Sequence, residues 1–392
     1  MLKKSLIILF PVLWLFTFTL VFAAEMRPAE LRSSSFQTNL LQGISKSFNM
    51  ETAAADVYLK KAVDLEPENP TGYALISMLH LFAYEMCFSL DQLQKEKEAI
   101  LYYSEEALIR GEKRIAHHPK DSQAYLAMAL AKTAKVHWAI KEKRYLMMAQ
   151  ETSNIWNYLE TAKSADPYNY DVDFLMGLLH YHTDRLPGMT RFLSSWLITE
   201  GNRQKGLQEI KTAAQKGNLL REIAQSELSS DYLNYEKQPS LALPVLQNLR
   251  NKFPNNYNFS FTLCVAMIEL KRFAEAEAIA AEIEKNISSG TPPYVPQLQP
   301  RYHQLMGRIH FKRAEYGRAE NFFQKAIQDK AFYNVRTRVR SLVYLGMIHD
   351  LRKERNHAED YYNRALEVEG AEGAAQIEAK KYLKTPYTAN GK

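Results

Sequence analysis

Cysteine is almost missing from this chain of 392 residues, which has only Cys87 and Cys264. A framework of disulfides, of the kind that stabilises small secreted domains, is therefore excluded. The two cysteines lie in apolar stretches with a helical pattern, far apart in sequence, and an extended helical array would keep them apart in space. We expect two buried free thiols.

Familiar catalytic motifs are also missing. The sequence has no Gly-rich phosphate loop, no H-E-x-x-H, no C-x-x-C and no G-x-S-x-G. Apolar residues do not alternate with polar ones at the period of two that is typical of strands. We therefore predict an all-α protein with no catalytic site and no cofactor.

No block of Lys or Arg marks an arm for nucleic acid, although the formal net charge is +6. From this pattern we expect no nucleic acid, and charge alone names no other partner. The partner that we expect on other grounds, given below, is a protein or peptide, with an acidic or carboxylate-bearing segment as one form of it.

One long apolar run is present, at the start of the chain. It extends over Ser5–Phe22, follows Lys3 and Lys4, and ends in small residues, which predicts a signal peptide over residues 1–23, cleaved after Ala23. Cleavage would remove two lysines and no acid, so the net charge would fall from +6 to +4. No cysteine stands where a lipoprotein would be acylated. We expect export, to the periplasm of a Gram-negative bacterium, and retention of the run as a membrane anchor is the alternative.

Two segments near the C-terminus share one pattern. In each, a glycine is followed twelve residues later by alanine, sixteen later by an aromatic residue and nineteen later by alanine. The two sets are Gly307, Ala319, Phe323, Ala326 and Gly346, Ala358, Tyr362, Ala365. This spacing resembles the tetratricopeptide repeat, in which small residues let two antiparallel helices approach closely and the aromatic side chain fills the gap toward the next repeat.

The same frame divides the second half of the chain. It predicts two tandem repeats over 223–290, a proline-rich loop over 291–300, two more repeats over 301–370, and a capping helix with a tail over 371–392. The resemblance implies a right-handed α-solenoid of antiparallel helical hairpins.

Longer hairpins are predicted in the N-terminal half, residues 24–170. Three helices there end at Pro67, Pro119 and Pro167, and these prolines are 52 and 48 residues apart. That spacing exceeds the ~34 residues of a standard repeat, so we expect helices extended by two or more turns.

The central segment Asp171–Asn256 resembles the tetratricopeptide proteins related to the eukaryotic inclusion-body-clearance family. The residues that carry the resemblance are Gly177, Leu186-Pro187, Gly201-Asn202-Arg203, Gly206-Leu207, Lys216-Gly217 and Phe253-Pro254-Asn255. The resemblance implies a helical scaffold and no catalytic residues. Within it, residues 171–222 are interpreted as short helices that form an elbow.

Outward positions of the first helices would line the concave face of such an array. The frame places Arg301, Gln304, Arg308, Phe311, Lys312 and Arg340 there, where guanidinium groups could bind a carboxylate. A solvated helix face is the alternative. A second candidate is an edge of the elbow formed by Arg185, Arg191, Trp196 and Arg203, with a purely structural elbow as its alternative.

Two histidine pairs, His180 with His182 and His117 with His118, invite a metal interpretation. On a helix, residues two apart point about 200° apart and neighbours about 100° apart, so neither pair converges on one ion. Near the elbow, Asp171 and Asp173 lack the pattern of a calcium loop, and either can cap a helix instead. We predict no metal site.

Taken together, these features predict a non-catalytic scaffold for protein–protein interaction in the cell envelope. A small-molecule or lipid-binding component of an envelope transport system is the alternative.

Overall fold

Helices make up most of the chain that the structure describes. The computed structural model describes residues 28–141, 144–183, 201–370 and 373–389. Within these ranges it has 17 α-helices, two short 3-10 turns and no strand. The helices are α1 Pro28–Phe48, α2 Thr52–Leu65, α3 Pro70–Glu85, α4 Leu90–His117, α5 Ser122–Lys141, α6 Tyr145–Ala165, α7 Tyr170–Thr183, α8 Arg203–Lys216, α9 Arg221–Asn234, α10 Pro239–Lys252, α11 Tyr257–Glu269, α12 Phe273–Ser288, α13 Gln299–Lys312, α14 Tyr316–Gln328, α15 Val335–Leu351, α16 Arg355–Glu367 and α17 Ala374–Lys384. The all-α prediction is confirmed.

Successive helices pair as hairpins, and the glycines of the repeat pattern set how closely they approach. A Cβ atom on Gly307 of α13 would lie 2.6 Å from the ring of Phe323 on α14, and one on Gly346 of α15 would meet the ring of Tyr362 on α16 in the same way. The aromatic residue therefore covers the glycine of its own hairpin. Phe323 also stacks on Tyr344 of the following repeat, with ring centroids 4.8 Å apart.

Long helices are found in the first half, where wide spacing between prolines predicts them. Helix α4 has 28 residues, α5 has 20 and α6 has 21, against 13 to 17 for the paired helices α11–α16. Small polar side chains allow the long helices to pack: Ser77 of α3 and Ser104 of α4 are fully buried and their hydroxyls are 2.8 Å apart.

The array curls until its first hairpin contacts its second half. Phe48, at the end of α1, packs against Phe253, with ring centroids 5.3 Å apart, and its carbonyl accepts a 2.8 Å hydrogen bond from the Asn256 side chain. Further along, Phe88 meets Tyr333 edge to face at 5.2 Å. These contacts, which we call the seam, join residues about two hundred positions apart and enclose a cavity.

Both cysteines are free and buried, as expected. In the part of the chain that the structure describes, no helix has the length and apolarity needed to cross a membrane. The apolar run within residues 1–23 and its cleavage site lie outside the described residues.

Candidate functional site

A cavity of about 770 Å³ lies between the two halves of the curled array. Its lining comes mainly from α3, α9, α11, α13 and α15 and from the start of the loop after α3, with single residues of α5 and α10. Its apolar lining residues include Phe82, Met86, Phe88, Leu233, Phe261 and Val265. Four arginines also line it, Arg301, Arg308, Arg336 and Arg340.

Four of the six residues that the repeat frame places on the concave face line this cavity: Arg301, Gln304, Arg308 and Arg340. Arg336, which lies one helical turn before Arg340, joins them. The structure therefore brings together side chains from two separate repeats, α13 and α15.

Phe311 is not part of the concave surface, and its placement there is corrected. It is 5% exposed and packs between Tyr344, 5.0 Å away, and Tyr316, 5.7 Å away. Ten residues after Arg301, it is rotated by about 80° around the helix axis, toward α15. Lys312 lies beside the cavity and donates a 2.6 Å hydrogen bond to Glu269.

Two of the arginines have carboxylates of their own. Arg308 donates to Glu269 at 2.9 Å, and Glu269 also accepts from Lys312. Burial alone would raise the pKa of Glu269, but Arg308 and Lys312 outweigh it and lower the pKa to about 2. Arg340 pairs with Glu378 of the capping helix α17, which Lys237 also contacts at 2.8 Å. Each of these two arginines therefore shares its carboxylate with a lysine.

Arg301 is held differently. Its Nη1 donates a 2.5 Å hydrogen bond to the side-chain oxygen of Asn258, and its guanidinium lies 4.2 Å from the ring centroid of Phe261. Among the described residues, no carboxylate is within 4.0 Å of it. Burial lowers the pKa of Arg301 to about 10, so it stays charged at neutral pH.

A polar cluster at the cavity wall connects the two halves of the chain. Glu85 accepts a 2.8 Å hydrogen bond from His137 of α5 and a 3.3 Å hydrogen bond from Arg336 of α15. Glu85, His137 and Arg336 all line the cavity. Sequence reasoning missed the first two because only the curl of the array brings them near the arginines.

Of the second candidate set, Arg185, Arg191 and Trp196 lie outside the described residues. Arg203 starts α8 and donates from Nε to Glu236 at 3.0 Å, where the hydroxyl of Tyr181 also donates at 2.6 Å. These bonds tie α7 and α8 to the turn that follows α9.

The paired histidines contact different carboxylates. His180 lies 2.6 Å from Glu209 and His182 lies 3.0 Å from Glu227. Two groups have three ligand atoms within 4.8 Å of one another and could hold a divalent ion: His182 with Glu227 and Asp231, and His349 with Glu354 and His357. Their contacts are also those of ordinary ion pairs.

Asp171 lies in α7, but it caps the start of α9. Its carboxylate accepts hydrogen bonds from the backbone N–H groups of Asn218, Leu219 and Leu220, at 2.8 to 3.0 Å, just before α9 begins. The buried carboxylate of Asp171 is therefore one of the groups that connect α7 to the start of α9.

Sequence comparison supports the repeat frame directly. Residues 233–309 match the tetratricopeptide-repeat family, a stretch that reaches from the end of α9 into α13 and includes Arg301 and Arg308. The hairpins and this match define a helical-repeat solenoid. The chain therefore contains tetratricopeptide repeats over residues 233–309, and it is all-α in the part that the structure describes. The narrower resemblance of residues 171–256 to the inclusion-body-clearance relatives stays a prediction.

Solved structures with a similar course of helices include the human IFIT1 dimer with m7Gppp-AAAA, at 14% identity and a TM-score of 0.42, over 89% of this chain and 82% of that one. The human IFIT1 dimer with PPP-AAAA has 14% identity and a TM-score of 0.44, over 92% and 85%. A tetratricopeptide-repeat protein from Parabacteroides merdae has 17% identity and a TM-score of 0.31, over 83% and 99%. Among curated proteins, none is significantly similar to this chain in sequence.

The prediction that nucleic acid is excluded as a partner is wrong. Human IFIT1, a helical protein that this chain is similar to, is solved with m7Gppp-AAAA and with PPP-AAAA. The prediction used only the lack of a Lys/Arg block, but folding can gather cations that are far apart in sequence, as it gathers Arg301 and Arg340 here.

Proposed function

We propose that this tetratricopeptide-repeat protein is a non-catalytic scaffold that holds a segment of a partner protein inside its central cavity. The observation that carries the proposal is the cavity itself. It has a volume of about 770 Å³ and is bordered by helices from both halves of the chain, with apolar side chains and four arginines in its lining. Apolar contacts with a few placed polar groups are what a specific binding site requires.

A bulky side chain inside the cavity tests this proposal. Thr262 of α11 lines the cavity and is only half-buried, so Thr262→Trp should fill the space without disturbing the core. Arg318 of α14 is 75% exposed in its side chain and does not line the cavity, so Arg318→Trp is the matched control. Both variants should give the helical circular dichroism of the wild type.

The purified chain and the two variants would be used to capture partners from an extract of the cell envelope. We expect Thr262→Trp to lose partners that the wild type and Arg318→Trp retain. Equal capture by all three proteins would contradict a role for the cavity.

We further propose that the protein acts outside the cytoplasm, in the periplasm or an equivalent exported space. The support is the charged start, apolar run and small residues of segment 1–23. N-terminal sequencing of the protein purified from its host should find a chain that begins at Ala24. A chain that still begins at Met1 and sediments with membranes would favour the anchored form.

A second candidate function is the binding of a small molecule or lipid. The size of the cavity favours it, because sites for small ligands typically have about 300–1,000 Å³. Native mass spectrometry of the purified protein would show such a ligand as a discrete added mass, which Thr262→Trp should remove.

A further inference from the structure

Three potential metal ligands lie together at the turn between α15 and α16. One ligand atom each from His349, Glu354 and His357 lies within 4.8 Å of the other two. Zinc binds imidazole nitrogen and carboxylate oxygen at about 2.0–2.2 Å, so ligand atoms around one ion are roughly 3.3 Å apart. Small side-chain movements would therefore close the set around an ion, and Glu354 can move because its side chain is 43% exposed. For histidines, the prediction of no metal site covered only pairs one or two residues apart.

The turn fixes the backbone beneath these side chains. Lys353 has a φ of 65°, which ends α15 in the left-handed region, and the N–H of Glu354 donates a 2.9 Å hydrogen bond to the carbonyl of His349. Nδ1 of His349 lies 2.5 Å from the carboxylate of Glu354. His357, three residues after Glu354, follows on the same side of the helix. The ring of His349 is buried and stacks on Tyr361, with centroids 5.2 Å apart.

The preceding repeat has the same turn without the second histidine. There, His310 lies 2.8 Å from Glu315, whose carboxylate also accepts a 3.3 Å hydrogen bond from Arg318. His357 occupies the position that corresponds to Arg318. One turn thus has a guanidinium beside its histidine–glutamate pair, and the other has an imidazole, whose neutral form is a common metal ligand. A divalent cation at the second turn would supply the positive charge that Arg318 supplies at the first.

We propose that His349, Glu354 and His357 bind one divalent transition-metal ion of the zinc type across the α15–α16 turn. Two imidazoles and a carboxylate suit zinc better than magnesium or calcium, which prefer oxygen ligands. The ion replaces the proton between His349 and Glu354. Glu354 and His357 are exposed, so a fourth coordination position faces solvent and takes a water molecule. The bound ion joins the two helices of the last repeat.

The charged groups around the turn accommodate one added cation. Glu320 of α14 has one carboxylate oxygen 3.7 Å from Nε2 of His349 and the other 2.7 Å from Arg352. A carboxylate on the far side of a ligating imidazole orients the ring and raises its basicity, and Glu320 has that position. Arg352 opposes a nearby cation, but its guanidinium is paired with Glu320.

This site is separate from the central cavity. His349 lies nine residues after Arg340, the last residue of α15 in the cavity lining, which is about 14 Å along the helix axis. The other group that could hold an ion, His182 with Glu227 and Asp231, has a single imidazole. It is therefore the poorer match for zinc, and the test can exclude it.

Calorimetric titration of the purified, tag-free full chain with Zn²⁺ tests the site, and we expect one ion per chain. His357→Arg, which restores the residue type of the preceding repeat, should weaken binding by more than about tenfold, because even the loss of an outer carboxylate commonly costs about 10–100-fold. His310→Gln, which changes the other turn, is the matched control and should bind as the wild type does. Helical circular dichroism should be the same for all three proteins.

Thermal unfolding gives a second readout. Zn²⁺ should raise the melting temperature of the wild type and of His310→Gln, because an ion that binds the folded chain stabilises it. It should leave the melting temperature of His357→Arg unchanged. If His357→Arg does not fold, His357→Gln removes the same ligand at this exposed position and should show the same losses.

Several results would overturn the inference. The absence of saturable Zn²⁺ binding by the wild type is one, and equal affinity in the wild type and His357→Arg is another. Binding that His182→Gln removes and His357→Arg retains would assign the ion to the other group. Binding that is lost in His310→Gln would assign it to the preceding turn.

Discussion

At the scale of single residues, each cation in or beside the cavity is distinguished by the group that it contacts. Arg308 and Lys312 share Glu269, Arg340 and Lys237 share Glu378, and Arg301 lies over an aromatic ring. Helical periodicity predicts that Arg301 and Arg308 share a face of α13, and the repeat frame places Arg340 on the corresponding face of α15. Neither predicts their acids, because Glu269 and Glu378 come from other helices, α11 and α17.

Glu269 should therefore matter for stability. Glu269→Gln leaves two cations without their carboxylate, and we expect the free energy of unfolding to fall by about 2–3 kcal/mol at neutral pH. This is less than the ~3–5 kcal/mol of a fully buried pair, because the carboxylate side chain is 25% exposed. Urea unfolding followed by circular dichroism measures it. Glu275→Gln, at a more exposed pair with Arg272, should cost less than about 1 kcal/mol.

The same carboxylate gives a pH dependence. The pKa of Glu269 is lowered from 4.5 to about 2 in the folded chain, so its contribution is complete above the unfolded value and is lost as the pH falls between these two values. The difference in stability between wild type and Glu269→Gln should be smaller at about pH 3 than at about pH 6. A difference that stays constant or grows on acidification would contradict the assigned pairing.

At the scale of elements, the repeat pattern works as a contact rule. Glycine, alanine and aromatic residues at fixed offsets predict hairpins in the second half, and α13–α16 have them. Phe311 shows where the rule fails. Its ring is buried against Tyr344 of the next repeat, and the pattern of a single helix does not reveal that contact. Asp171 shows the same limit, since its hydrogen-bond partners are 47 to 49 residues away.

Gly307 tests the contact rule. Gly307→Ala would place a methyl group 2.6 Å from the ring of Phe323, and we expect a loss of about 1–3 kcal/mol in unfolding free energy. Gly317 in α14 has open space around its Cα, so Gly317→Ala should stabilise the helix by up to about 1 kcal/mol. If the rule holds, the melting temperature falls in Gly307→Ala and rises in Gly317→Ala. Equal shifts would count against it.

Asp171 tests the link between the elbow and the next repeat. The two carboxylate oxygens of Asp171 accept from three N–H groups, and Asp171→Asn replaces one of these oxygens with an amide nitrogen that cannot accept. We expect the free energy of unfolding to fall by about 1–3 kcal/mol. Hydrogen exchange of Leu219 and Leu220 should speed up in this variant. Asp360→Asn, at an exposed pair with Arg364, is the control and should leave both quantities unchanged.

At the scale of the whole molecule, curling of the array creates the site. The seam joins Phe48 to Phe253 and Phe88 to Tyr333. Near these contacts, Arg336 donates a hydrogen bond to Glu85, which is 251 residues earlier in the chain. Sequence patterns describe each hairpin with its neighbour, and the small rotation between hairpins that closes the curl leaves no local signal. For this reason the placement of Arg301, Arg308 and Arg340 on one surface is predictable from the sequence, and the lining residues that the first half contributes from α3 and α5 are not.

Phe48 tests whether the seam holds the curl. Phe48→Ala removes its ring contacts with Phe253 and Phe259, and we expect a larger radius of gyration by small-angle X-ray scattering together with a loss of about 1–3 kcal/mol. Tyr168, which is 78% exposed, provides the control Tyr168→Ala, with no change expected in either quantity. A compact Phe48→Ala variant would show that the seam contacts are dispensable.

The central claim is that a partner segment lies inside the cavity, and site-directed photo-crosslinking in the native host measures this most directly. A benzoylphenylalanine would replace Thr262 on the cavity wall or Arg318 on the outer surface, and crosslinked peptides would be sequenced. The account predicts crosslinks from the position of Thr262 to one discrete segment of a partner protein, and none from the position of Arg318. Crosslinks from Arg318 alone, or the same products from both positions, would contradict it.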